Sequence, residues 1–246
     1  MDELGRWYEK RLGQALRKAE RQVLSEQLQN IFGYHLLMLG AVDAELLRTC
    51  RVQHCVMLRS REQEPCMTNS SVFSELTQLP LATDSVDAVL FNHSLDFTAD
   101  PHQALREAER VLVPEGHLLI LGFNPRSLWG LYRVLRLNRQ PMPWRGKFRS
   151  VARLKDWLRL LGFEITATRY LFYSPPIQQE AILRKFQCLE PVMRRLLPFS
   201  GGVYLLVARK KVSTLTPIKP RWRPRRRLVA GAVDTASRLG RLPDNH

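Results

Sequence analysis

The sequence predicts a doubly wound α/β domain built on a mostly parallel sheet, and three observations carry that prediction. Apolar runs of strand length recur at HLLML (35–39), HCVML (54–58), VDAVLF (86–91) and HLLILGF (117–123). A helix-period segment, Pro101 to Leu112, separates the last two, and strands alternating with helices pair in parallel through right-handed crossovers. At 246 residues and 45% apolar content, the chain is long enough for one sizeable domain with a tail, and short for two.

In chain order, residues 3–29 read as one helix. Leu4, Trp7, Leu12, Leu16, Val23, Leu24 and Leu28 fall mostly at three- and four-residue spacing, so segment 1–30 is expected to pack on a domain spanning 31–211. The run HLLML ends at Gly40 and is followed by a helical stretch with Ala44, Leu46 and Leu47. Asp100-Pro101 opens the next helix, whose buried face is Leu105, Ala108, Val111 and Leu112, and Pro114 and Gly116 turn the chain into a strand. A helix from Arg153 to Leu161 stops at Gly162. It leads into FEITATRYLF (163–172), which alternates as a strand does. A helix around Gln179–Leu197 and a last strand, VYLLVAR (203–209), complete the series. Residues 212–246, rich in Pro, Arg, Thr and Ser, are predicted to be a mostly disordered basic tail.

No run of about 18 apolar residues is present, so no membrane span is expected. The N-terminus lacks the apolar core of a secretory signal, which places the expected location in the cytoplasm. Cys50, Cys55, Cys66 and Cys188 show no zinc spacing and read as structural thiols, and no metal is expected. The net charge of +15 concentrates in two stretches, 126–159 and 213–246, the latter centred on KPRWRPRRR (219–227). Such runs attract polyanions, with RNA and an anionic membrane surface as the two candidate partners, or they simply keep the chain soluble.

Residues 79–125 read LPLATDSVDAVLFNHSLDFTADPHQALREAERVLVPEGHLLILGFNP. This block resembles the central part of the class I S-adenosylmethionine-dependent methyltransferases related to the ubiquinone and menaquinone methyltransferases. The shared elements are an L-P run before S-V-D, a strand, a His-containing turn, D-P, and a helix ending R-V-L-x-P-x-G. GYHLLMLG (33–40), GFNPRSLWGL (122–131) and LLVARKK (205–211) are also similar to a narrower group of bacterial YafS-type proteins. The resemblance implies a three-layer, mostly parallel seven-stranded Rossmann-like sheet, S-adenosylmethionine as cosubstrate, and methyl transfer to an acceptor it does not identify.

By that resemblance, Gly40 is the first glycine of the donor loop, Glu75 is the acid near the adenine with Leu76 beside it, and Asn92 and His93 border the donor. The loop departs from the family pattern. Met38 stands where an acid is usual, and Ala41, Val42 and Ala44 leave Gly40 as its single glycine. Leu58 and Arg59 occupy the second strand's end, with Glu62 and Glu64 only later.

The turn Asn92-His93-Ser94-Leu95-Asp96 lies beyond a strand's carboxyl end, where open α/β sheets bind ligands. His93, whose ordinary pKa is near neutrality, is the candidate general base, and Asp96 is its candidate orienting group. The alternative assigns Asn92 and Asp96 to a turn and a cap, with His93 half-buried. Asn124-Pro125 reads as a turn, with Asn124 near the crevice as the other option. Trp129 and Trp144 serve either as core or as base-stacking platforms among arginines. Two functional readings follow: a methyltransferase of unknown acceptor, or a catalytically inactive methyltransferase-like module that recruits a polyanion through its basic helix and tail. A third keeps the enzyme at a membrane surface with the tail as electrostatic tether.

Overall fold

The computed structural model describes residues 2–41, 45, 46, 52, 54–59, 71–73, 76–135 and 142–211. All of these fall in one compact unit, residues 1–212, and the predicted tail lies outside the described residues. Seven strands form a single sheet: β1 (His35–Gly40), β2 (His54–Arg59), β3 (Ser71–Phe73), β4 (Val86–Asn92), β5 (Leu112–Phe123), β6 (Phe163–Leu171) and β7 (Val203–Lys210). Their order is β3-β2-β1-β4-β5-β7-β6. The pairs from β3 to β5 are parallel, and β7 runs antiparallel to both β5 and β6. The expected mostly parallel seven-stranded sheet is therefore present.

Strand alternation assigns each side chain to a layer. Leu36, Met38, Ala88, Leu90, Leu119 and Leu121 enter one apolar layer, while Leu37, Leu39, Val89, Phe91, Leu118 and Ile120 enter the other. Both faces are buried because helices cover both, as parallel sheets require. The first layer is covered by α1 (Asp2–Tyr8), α2 (Arg11–Leu28) and α5 (Leu128–Leu135). The second is covered by α4 (Pro101–Val111) and α6 (Val151–Leu160). Two further helices among the described residues are the short α3 (Ser94–Phe97), after β4, and α7 (Glu180–Leu196), between β6 and β7.

The single helix expected over 3–29 is two helices. The break falls at Glu9-Lys10, where Lys10 takes an extended conformation. Tertiary contacts decide this. The Tyr8 hydroxyl donates to the Glu20 carboxylate at 2.9 Å, and twelve residues of straight helix would hold the two about 18 Å apart. β5 also begins earlier than expected, at Leu112, because the Pro114–Gly116 turn is absorbed as an irregularity in its register with β4.

Two residues of the resembling block turn out to be scaffold. The Asp87 carboxylate accepts from the Tyr34 and His35 amides at 2.8 and 2.9 Å, fixing the start of β1 against β4. A Cβ on Gly33 would lie 2.4 Å from that of Asp87, so this approach needs glycine. Arg110, held by Glu107 on its own helix, donates to the Leu79 and Leu81 carbonyls and fixes the loop before β4. Asp87→Ala should leave two amides without their acceptor and cost about 2–3 kcal/mol in urea unfolding. Unchanged stability would show that water replaces the carboxylate freely.

Candidate functional site at the carboxyl ends of β1 and β4

The strand order reverses between β1 and β4, so the crevice of an open α/β sheet opens at their carboxyl ends. Gly40 closes β1 with φ 111°, a conformation L side chains rarely adopt, and forms a bridge with His93. The Ala41 amide donates to the Asn92 carbonyl at 3.2 Å, and the Asn92 side-chain amide donates to the Ala41 carbonyl at 2.6 Å. The structure thus brings Gly40, Asn92, His93 and Asp96 together at one point. Leu76 is half-buried and packs against the second apolar layer. Glu75, Val42, Glu62 and Glu64 lie outside the described residues.

His93 is fully buried and left-handed, with φ 55°, at the N-terminal end of α3. A non-glycine residue held in that region stores strain, and the surroundings must over-determine it. They do so from three sides. Nε2 lies 2.9 Å from Glu20 Oε1, the ring packs on Phe123 at 4.2 Å between centroids, and the His93 amide donates to the Leu121 carbonyl. Asp96 Oδ2 lies 3.7 Å from Nδ1, too far for a hydrogen bond, so it acts on the ring through charge. That same oxygen accepts from the Phe123 amide at 2.9 Å. The basic segment after α5 closes the turn from outside, through the Lys147 amide on the Asp96 carbonyl and Arg149 on the Leu95 and Thr98 carbonyls.

Burial alone would push the His93 pKa down. Glu20 and Asp96 outweigh it and raise the pKa from 6.5 to about 9, so the ring is an imidazolium at neutral pH. Burial raises the pKa of Asp96, opposed by the same imidazolium and by the Phe123 amide. Among the described residues, four buried side-chain polar atoms have no hydrogen-bond partner: Asn92 Oδ1, His93 Nδ1, Ser94 Oγ and Asp96 Oδ1. Such a cluster of unmet donors and acceptors is unusual in a merely structural turn.

The sequence reasoning missed the residues that cover this turn. Glu20 is buried on α2 and is shared between His93 and Tyr8, and Arg17 lies over the Tyr8 ring at 4.8 Å. Arg21 pairs with Glu45, five residues beyond Gly40. Tyr8, Arg17, Glu20, Arg21 and Leu24 roof a cavity of about 10 Å³ floored by Ala41 and Asn92, which is room for about one water. A larger cleft of about 700 Å³ lies between α2, β6 and α7, but no residue chosen from the sequence as a site residue lines it. Asn124 and Trp129 are scaffold. Asn124 donates to the Phe199 and Gly201 carbonyls, and Trp129 is enclosed among Trp7, Phe123, Trp144 and Phe172.

A raised histidine pKa stabilises the fold fully below 6.5, and that contribution is lost as pH rises through about 9. The melting temperature should therefore fall between about pH 6 and about pH 9.5. Glu20→Gln should cost about 3 kcal/mol at the lower pH by stranding the imidazolium, and should flatten the pH dependence. Equal slopes in the two proteins would remove the Glu20–His93 charge pair from the account.

Comparison with known proteins agrees with this geometry. The family described as "Methyltransferase domain" matches residues 51–120. The uncharacterized protein YafS of Escherichia coli (strain K12) is 34% identical over 232 residues, covering 92% of this chain and 90% of its own. The demethylmenaquinone methyltransferase of Chlamydia pneumoniae is 34% identical over 155 residues, covering 62% of this chain and 57% of its own. A SAM-dependent methyltransferase structure from Thermotoga maritima superposes with a TM-score of 0.63 at 19% identity, over 85% of this chain and 95% of that one. With these relatives the chain belongs to the family of the Escherichia coli protein YafS, and its sheet has the class I methyltransferase fold.

Proposed function

We propose that the chain is an active methyltransferase that takes S-adenosylmethionine at the carboxyl ends of β1 and β4, with α1 and α2 as a cover that must lift for the donor to enter. The observation that carries this reading is the conjunction of Gly40 at φ 111° with unpartnered Asn92 Oδ1 directly beneath the α2 roof. Residues suited to the donor are present: a glycine that lets the backbone approach closely, and a buried amide oxygen able to accept from a ligand. Space is what the covered arrangement lacks, since the roofed cavity holds about one water.

Bound S-adenosylmethionine supplies an activated methyl group, so the protein's part is to align the acceptor and exclude water. Gly40 and Asn92 would hold the donor side, with Leu76 and Glu75 as proposed contacts at its adenine end. With Glu20 against Nε2, His93 carries a proton and accepts none. Lifting α2 would take that carboxylate away and admit water, to which the Nε2 proton, no longer held by Glu20, would pass. The movement that opens the crevice thereby frees Nε2 to accept a proton from an acceptor hydroxyl or ammonium. Asp96, fixed by the Phe123 amide, stays beside Nδ1 as the orienting group.

Calorimetric titration with S-adenosylmethionine and S-adenosylhomocysteine tests the reading. Micromolar binding is expected in the wild type, abolished in Gly40→Arg and several-fold tighter in Glu20→Gln, where the cover is less strongly held. No binding by wild type and Glu20→Gln alike would retire the enzyme reading. Binding that Glu20→Gln leaves unchanged or weakens would retire the moving cover.

A further inference from the structure

Two helices flanking the β5–β7–β6 end of the sheet carry apolar side chains on their solvent faces. On α5 these include Leu131, Val134 and Leu135, the last two 62% and 71% exposed. On α7 and just after it they include Val192, Leu196 and Phe199, the last two 70% and 69% exposed. The helices are anchored to the same scaffold. Asn124, just before α5, donates to the Phe199 carbonyl at 2.8 Å, and Trp129 of α5 donates to the Ser174 carbonyl at 2.9 Å.

The charge around these side chains has one sign. α5 contains no acid and is preceded by exposed Arg126, while α7 ends with exposed Arg194 and Arg195. Glu190, the acid nearest the exposed stripe of α7, is turned inward and accepts from the Phe172 amide at 3.2 Å. Leucine and valine at helical spacing beside arginine suit the boundary between lipid headgroups and acyl chains. There the aliphatic groups leave water and the guanidinium groups meet phosphate. RNA would need several aromatic platforms among the arginines, whereas Trp129 and Trp144 are spent in the core and Phe199 is the one aromatic among the exposed side chains of these faces. Among the described residues no helix is long and apolar enough to cross a membrane, so the contact would be a surface one.

We infer that α5 and the C-terminal half of α7 form a docking face for the surface of an anionic lipid bilayer. This concerns where the chain works, and it stands whether or not the donor crevice turns over.

The test is co-sedimentation of the full chain with vesicles of phosphatidylcholine alone and with about 30% phosphatidylglycerol. Binding is expected to the anionic vesicles only. Because Leu131 and Leu196 are solvent-exposed, Leu131→Asp with Leu196→Asp should keep the far-ultraviolet dichroism and melting temperature. It should weaken partitioning about tenfold or more, since each aspartate removes an inserting side chain and adds repulsion. A second full-length variant replaces Arg221, Arg223, Arg225, Arg226 and Arg227 by Gln. It should weaken binding less than the paired Asp variant does. Three results would overturn the proposal: no binding to anionic vesicles, binding insensitive to the Asp pair but lost with the tail arginines, or an Asp pair that dissolves a wild-type dimer while vesicles stay unbound. Loss of binding to single-stranded RNA, with vesicles ignored, would assign the face to nucleic acid instead.

Discussion

The contact between Glu20 and His93 constrains more of this molecule than any other. A carboxylate placed in an otherwise leucine stripe is expensive to bury, and removing one member of such a pair costs about 3–5 kcal/mol. Here both members are enclosed, so each needs the other in one position. Tyr8 completes the carboxylate's bonding from α1, and Asp96 passes the connection on to the Phe123 amide in β5. One polar chain therefore sets the register of α1, α2, the β4 turn and β5. It also accounts for the helix break at Lys10, because Tyr8 reaches Glu20 only if α1 folds back.

The same chain is an unstable compromise in a useful sense. Three titratable groups share one proton-rich pocket with four polar atoms left unpaired. Fully satisfied networks rigidify a core, and partly satisfied ones mark places built for something else. Nδ1 is held by charge alone, at 3.7 Å, whereas Nε2 has a close partner on a separable helix. The ring therefore has Asp96 on one side and, on the other, the carboxylate of α2, the helix proposed to lift. That asymmetry is what the proposed gated base requires.

Much of the fold was legible in the sequence because its signals are periodic. Strand alternation in VDAVLF and HLLILGF, and the Pro101 and Gly162 boundaries, depend on neighbours along the chain and need no tertiary knowledge. The turn residues were legible for a related reason: Asn92, His93 and Asp96 follow a strand end, where such folds keep their ligands. Glu20 was not, although a signal existed. Leu12, Leu16, Leu24 and Leu28 step by four, and the missing place in that series is Glu20. A charged residue in the one gap of a buried stripe announces a partner on the other side, yet only the fold says that the partner is His93. Asp87 and Arg110 belong to the motif block, and what they do there, fixing backbone ends, is visible only in the fold.

The basic stretch 126–159 shows how far charge counting reaches. Arg133 donates to the Trp144 carbonyl, Arg149 to the Leu95 and Thr98 carbonyls, and Arg145 pairs with Glu3. These guanidinium groups hold the segment after α5 against the α3 turn and α1, so they are structural before they are electrostatic. Arginine serves this purpose well because several fixed donors can meet several carbonyls at once. A net charge read from sequence adds such residues to the field, whereas the structure assigns them to the scaffold. The cations still exposed beside the apolar faces, Arg126, Arg194 and Arg195, are fewer than the sequence suggests, and Glu190, the acid in the last turns of α7, is engaged by the Phe172 amide.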